Sequence, residues 1–281
     1  MPAASFVAWR SPVLGVVTQS NASQNAVSDF VTRVLEAPGR AKFVAQPRRY
    51  GAMSLRMETR QLDTTGGGLS DRNDLIRTLP DYPPGSDFWL GISVLVDPTF
   101  PPSVVGDWCV LHQLFGATGG QTTGSPPFAL EIGDNGNFHM SVRGGSKATA
   151  TDTAPRENIQ DIVPITKGVW HDFLFHLFLS TGSDGTVDGY HKLASDAAWP
   201  DTPTVSDVGV NVLTVGGVVQ NTYNKLDIYR HTRAEIAVVY FGLLVIDPSR
   251  SVVETYFAQT AIDTRPTKAL VMLGGVPVML P

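Results

Sequence analysis

The stretch Phe128-Ala129-Leu130-Glu131-Ile132-Gly133-Asp134-Asn135-Gly136-Asn137-Phe138-His139-Met140-Ser141-Val142-Arg143 decides the fold class. Two apolar-patterned arms, Phe128 to Ile132 and Asn137 to Arg143, flank a Gly-Asp-Asn-Gly turn, whose residues tolerate the backbone of a tight reversal. That predicts a β-hairpin. A second hairpin has arms Trp170 to Leu179 and Thr186 to Lys192, joined by Thr181-Gly182-Ser183-Asp184-Gly185. Working outward, Met53, Leu55 and Met57 alternate with Arg56, Glu58 and Arg60 before Gly66-Gly67-Gly68. Phe88 to Val96, Trp108 to Phe115, Val208 to Val215 and Tyr223 to Arg230 are further strand-like runs. Glu235 to Ile246 is almost wholly apolar, as expected of a strand with both faces covered. The pattern predicts an antiparallel β-sandwich.

Three segments are less regular. Val27, Phe30, Val31, Val34 and Leu35 fit a helical stripe, yet Phe30 to Leu35 also fit a β-branched strand. Gly116 to Pro127 reads as a long loop able to overhang a site. Ser249 to Ala261 reads as a connecting segment, and Leu270 to Leu280 as a terminal apolar hairpin turned at Gly274-Gly275. The expected organisation is an N-terminal segment over 1–29, one sandwich over 30–247, and a connecting segment with a C-terminal hairpin over 248–281.

With 281 residues, 42% of them hydrophobic and 17% charged, the chain is long enough to bury a substantial core. The 27 glycines and 20 prolines are spread between apolar runs, as in a turn-rich globular protein. A net charge of −5 lacks the basic surplus that a phosphate backbone selects, so nucleic acid is not an expected partner. The single cysteine, Cys109, excludes an intramolecular disulfide and a cysteine-rich zinc site. The histidines show no metal-ligand spacing, and no metal or other cofactor is expected.

Three polar strand faces suggest chemistry: Arg56, Glu58 and Arg60; Tyr223, Lys225, Asp227 and Tyr229; and Gln113 within His112-Gln113-Leu114-Phe115. Arginine grips a carboxylate bidentately, and tyrosine stacks on a sugar ring while hydrogen-bonding it. Such residues suit a polysaccharide groove. Arg143 and His139, on a neighbouring arm, are further candidate ligand contacts. The first face also fits a plain salt-bridge ladder along a strand.

On these segments the chain resembles the concanavalin A-like jelly-roll polysaccharide lyases, the heparin-lyase-like, glucuronan-lyase and alginate-lyase group. Arg56-Met57-Glu58-Thr59-Arg60 resembles its Arg-x-Glu-x-Arg strand, and Val110 to Gly116 its Gln-x-His strand. Trp170-His171-Asp172-Phe173 resembles its Trp-His-Asp hairpin, and Tyr223 to Tyr229 its Tyr-x-Lys-x-x-x-Tyr strand. The resemblance implies β-elimination of a uronate polymer. Arg56 and Gln113 would neutralise the carboxylate, and Tyr223 would act as acid and is also a candidate for the base, since one tyrosine can serve both proton transfers, with Lys225 assisting. Phe115 replaces the motif histidine and cannot accept a proton. Alternation turns His112 to the opposite face from Gln113 unless a bulge re-aims it.

The N-terminal residues show no basic stretch followed by a continuous apolar core, and no run approaches a membrane span. Neither Sec export nor membrane insertion is expected. Lys268 to Pro281 resembles the short apolar tails of actinobacterial phage minor tail proteins. It implies a virion setting in which the domain binds a cell-envelope glycan and the hairpin pairs with other tail proteins. The alternatives are an active lyase, secreted with its leader removed, and a purely architectural virion protein.

Overall fold

The computed structural model describes residues 6–9, 32–35, 37, 39–50, 53–63, 70–258, 270–273 and 276–279. It is a jelly-roll β-sandwich. The eight-stranded sheet runs Val205–Val208, Thr186–Leu193, Trp170–Phe178, Asp87–Val96, Ala237–Asp247, Ser54–Thr59 and Ala41–Val44, and Phe6–Trp9 pairs with the far half of Ala237–Asp247. The ten-stranded sheet has the central order Asn137–Lys147, Phe128–Ile132, Cys109–Thr118, Thr222–His231, Ser70–Tyr82 and Thr32–Val34. Arg156–Pro164 adds beyond Asn137–Lys147, which also pairs in parallel with Leu213–Val215.

Alternation sends one face of each sheet inward. Phe88, Leu90, Ile92, Phe173, Phe175, Val239 and Phe241 from the first sheet meet Leu114, Phe128, Leu130, Phe138, Met140, Leu226 and Ile228 from the second in one core. The Ala237–Asp247 strand is buried along its whole length, as its apolar sequence requires. Its outward residues Leu243 and Val245 pack under Val253 and Phe257 of a helix, Arg250–Ala258. That helix corrects the reading of Ser249 to Ala261 as a plain connection. Gly91 makes the docking possible, because a Cβ there would lie 2.5 Å from the Phe257 ring.

Thr32–Val34 is a strand, which settles the described part of the helix-or-strand ambiguity; residues 23–31 lie outside the described residues. The expected Val208 to Val215 strand is two strands, Val205–Val208 and Leu213–Val215. The expected loop after Gly116 begins as a continued strand that folds back, with Ala117 opposite Thr122. Leu270–Leu273 and Val276–Met279 pair with each other in antiparallel register.

Candidate functional site

The outward face of the ten-stranded sheet gathers most of the candidate residues. On Thr222–His231, Leu226 and Ile228 enter the core, so Tyr223, Lys225, Asp227 and Tyr229 project away from it. Register sets their neighbours. Tyr223 lies opposite Phe115, Lys225 opposite Gln113 and Tyr229 opposite Val110 on one flank. Asp227 lies opposite Asp74 and Tyr229 opposite Arg72 on the other. Farther along the same rows, Val110 pairs with Glu131 and Glu131 with His139, while Gln113 pairs with Ala129 and Ala129 with Ser141.

The centre of this face is a charged cluster. Lys225 Nζ lies 2.9 Å from Asp74 Oδ2 and 3.9 Å from Asp227 Oδ1, and sits 5.0 Å from the centre of the Phe115 ring. Gln113 Nε2 donates to Asp227 Oδ2 at 2.5 Å. Arg72 Nε is 3.6 Å from Asp74 Oδ2, and its guanidinium lies over the Tyr229 ring. Burial, and then the charge of Asp74, push the Asp227 carboxyl well above the usual aspartate range. Burial disfavours the Lys225 ammonium, but Asp227 and Asp74 outweigh it and hold that group above its ordinary range. Burial also raises the Tyr223 phenol, with Lys225 opposing, so Tyr223 is a proton donor at neutral pH.

Toward the other edge, Arg143 Nε donates to Glu157 Oε1 at 2.6 Å, and its Nη1 lies 3.5 Å from Glu131 Oε1. His139 Nε2 is 2.9 Å from Asn135 Oδ1 and 2.8 Å from Asp161 Oδ1. Its ring covers Gly133, where a Cβ would come within 1.8 Å of it. A side chain at that turn would have to push the His139 ring aside.

Arg56, Glu58 and Arg60 are not part of this cluster, which corrects the pairing of Arg56 with Gln113. Arg56 and Glu58 lie on the eight-stranded sheet, and because Leu55 and Met57 fill the core, they point out on the far side of the sandwich. There Glu58 accepts from Arg56 and Arg60 at 2.5 Å each and from Arg40 at 3.1 Å. They form the salt-bridge ladder. The arginine of the site is Arg72, on Ser70–Tyr82, a strand absent from the sequence reading. Its signal was present, since Arg72-Asn73-Asp74 has the same arginine-x-carboxylate spacing as Arg56-Met57-Glu58.

His112 does not stand in for the missing motif histidine. A bulge at Leu111 shifts the register between Val110 and His112. Yet His112 still faces the core, with Nε2 3.1 Å from Asn224 Oδ1. Of the Trp-His-Asp hairpin, Asp172 is structural, accepting from Tyr50 Oη, Ser93 Oγ and Arg49 Nη2. His171 Nδ1 lies 3.0 Å from His191 Nε2, and His176 Nε2 2.7 Å from Asp87.

Comparison with known proteins agrees with this architecture. A family model described as polysaccharide lyase matches residues 17–244. Among solved structures, the endo-β-1,4-glucuronan lyase of the fungus Trichoderma reesei superposes with a TM-score of 0.56 at 13% identity, covering 78% of this chain and 91% of that one. The PL-14 alginate lyase of Aplysia kurodai gives 0.57 at 9% identity, covering 86% and 98%. A GH131 β-glucanase catalytic domain from Podospora anserina gives 0.50 at 11% identity, covering 86% and 96%. Comparison with curated proteins finds no match. At these identities the structural likenesses establish the jelly-roll fold alone, and the sequence match adds the lineage: this chain belongs to the polysaccharide lyase family.

Proposed function

We propose that the chain is a glycan-binding member of the polysaccharide lyase family, set in a phage tail, that holds a cell-envelope polysaccharide on the outward face of its ten-stranded sheet during host adsorption. One observation carries the choice of binding over cleavage. At the position of the motif histidine, Phe115 places a ring edge-on to Tyr223, with centroids 5.9 Å apart, where β-elimination needs a proton acceptor. Tyr223, Tyr229 and Phe115 supply ring faces for stacking, and the surrounding amide, hydroxyl and carboxyl groups supply hydrogen bonds. The tail setting is supported by the Leu270–Leu273 and Val276–Met279 pair. Among the described residues these apolar strands pair only with each other, leaving edges suited to another tail protein.

The second reading is an active lyase. Tyr223, a neutral phenol flanked by Lys225 and Gln113, favours it. In that reaction a base takes the uronate C5 proton and the phenol protonates the departing 4-linked oxygen. The test is incubation of the full chain with uronate polymers and actinobacterial envelope glycans, following the ultraviolet absorbance of unsaturated product and retention of polymer in parallel. Retention without product is expected. Product that disappears in Tyr223→Phe would establish the lyase instead, and neither signal would leave an architectural protein whose sheet face is covered by a neighbour.

A further inference from the structure

The outer surface of the eight-stranded sheet holds a cleft that the proposed function does not use. Phe173 and Phe175 enter the core, so Asp172 and Leu174 between them project outward, and register sets Lys192 opposite Asp172 and Tyr190 opposite Leu174. Beside Lys192 lies a cleft of about 990 Å³, at the upper end of the range for small-molecule sites. Arg49, Tyr50, Lys192, Trp199, Arg250 and Phe257 line it.

Most of the charge around this cleft is already paired. Asp172 accepts from Tyr50, Ser93 and Arg49, and Arg49 Nη2 also donates to the Ala194 carbonyl at 3.3 Å. Arg250 Nε donates to Glu254 at 2.7 Å. Lys192 is the exception. It is only 8% exposed, and its Nζ has no hydrogen-bond or ion-pair partner among the described residues, although Asp172 stands opposite it. Its described contact is the Trp199 ring, with Nζ 5.2 Å from the ring centre. A ring attracts the charge but fills none of the three N–H donors as an oxygen would. Unlike the enclosed Nε of Arg49, Lys192 Nζ keeps accessible surface.

The distribution of charge limits what can bind. The unpaired cation is buried, whereas Asp196 and Asp201 stand exposed at the rim. A second negative charge on a ligand would meet those carboxylates, while hydroxyls could donate to them. A bare acetate or phosphate would fill a small part of the volume and leave the Tyr50 and Trp199 rings uncovered.

From these contacts we propose that the cleft is a second ligand site, which takes a small sugar acid with its one carboxylate on Lys192 and its hydroxyls toward Asp196 and Asp201. The site lies on the opposite outer surface from Tyr223 and does not depend on the glycan-binding reading of that face.

The test is calorimetric titration of the full chain with glucuronate and N-acetylneuraminate, against glucose, acetate and glucose 6-phosphate. At least one sugar acid is expected to bind about tenfold or more tightly than all three controls, a difference of about 1.4 kcal/mol. Lys192→Met, with folding checked by circular dichroism, should abolish that preference, and Lys192→Arg, which keeps the charge, should retain it. Arg72→Ala, on the other sheet, should leave it unchanged. Sugar acids binding no more tightly than glucose or acetate would overturn the inference, as would tighter binding of the doubly charged glucose 6-phosphate. A preference that survives Lys192→Met and disappears in Arg72→Ala would put the carboxylate on the ten-stranded sheet instead. The wild-type comparison needs no variant, so a Lys192 variant that fails to fold leaves the proposal open to refutation.

Discussion

His112 is fully buried against Asn224, and burial pushes its imidazole down to about 4. The folded chain keeps this ring neutral, whereas the unfolded chain protonates it near its ordinary value of about 6.5. Stability from this group is thus complete above about pH 6.5 and is lost as pH falls toward 4, by on the order of 3 kcal/mol in all. His191, also pushed down to about 4, acts in the same window. Asp227 has the opposite sign, since its raised carboxyl loses stabilisation as pH climbs above the usual aspartate range. Urea midpoints should fall between pH 6.5 and 4.5, and His112→Gln should flatten that slope. An unchanged slope would assign the effect elsewhere. Asp172 is a second residue with a large expected effect, because its buried carboxylate answers three donors at 2.7, 2.7 and 2.9 Å. Asp172→Ala would strand Arg49 and Tyr50 in a partly buried setting. Equilibrium unfolding should register a loss of roughly 3 kcal/mol, with glycan retention of the folded protein unchanged.

At the scale of elements, the Arg250–Ala258 helix depends on a single missing side chain beneath it. A Cβ on Gly91 would sit 2.5 Å from Phe257, 2.7 Å from Val253 and 2.9 Å from Val245. Gly91→Ala should therefore cost roughly 1–3 kcal/mol by overpacking. Phe257→Leu in the same chain should recover part of it, read as a coupling energy in a double-mutant cycle. Additive losses would mean that the helix does not rest on Gly91. Sequence reading missed this helix because only Val253 and Phe257 of its nine residues are buried, too few to set a helical stripe. It missed Ser70–Tyr82 for a different reason. Asp71, Arg72 and Asp74 place charge on both faces of that strand, and Pro80 interrupts it, so no apolar alternation marks it. Asp71 is the inward exception, its carboxylate meeting Arg230 Nη2 at 3.4 Å. The hairpins at Gly133–Gly136 and Ser180–Gly185 were legible because their turn chemistry is local.

For the whole molecule, local pattern determined that two sheets form but not which strands share a face. The Tyr223, Lys225, Asp227 and Tyr229 row was legible because all four residues lie on one strand, where alternation alone assigns their side. Joining that row to an arginine required knowing the order of strands across the sandwich, which sequence spacing does not carry. Arg56 and Arg72 both precede a carboxylate by two residues, yet they lie on opposite outer surfaces of the molecule. That separation can be measured. Arg56→Ala removes one of three arginines around Glu58, leaves Arg40 and Arg60 in place, and should cost at most about 1 kcal/mol with polymer retention unchanged. Arg72→Ala removes the guanidinium over Tyr229 and the cation beside Asp74, and should weaken retention about tenfold, equivalent to about 1.4 kcal/mol. If Arg56→Ala weakened retention and Arg72→Ala left it intact, the polymer would have to lie on the eight-stranded sheet. Gln113, Lys225 and Asp227 would then be a buried polar network of the fold with no ligand to hold.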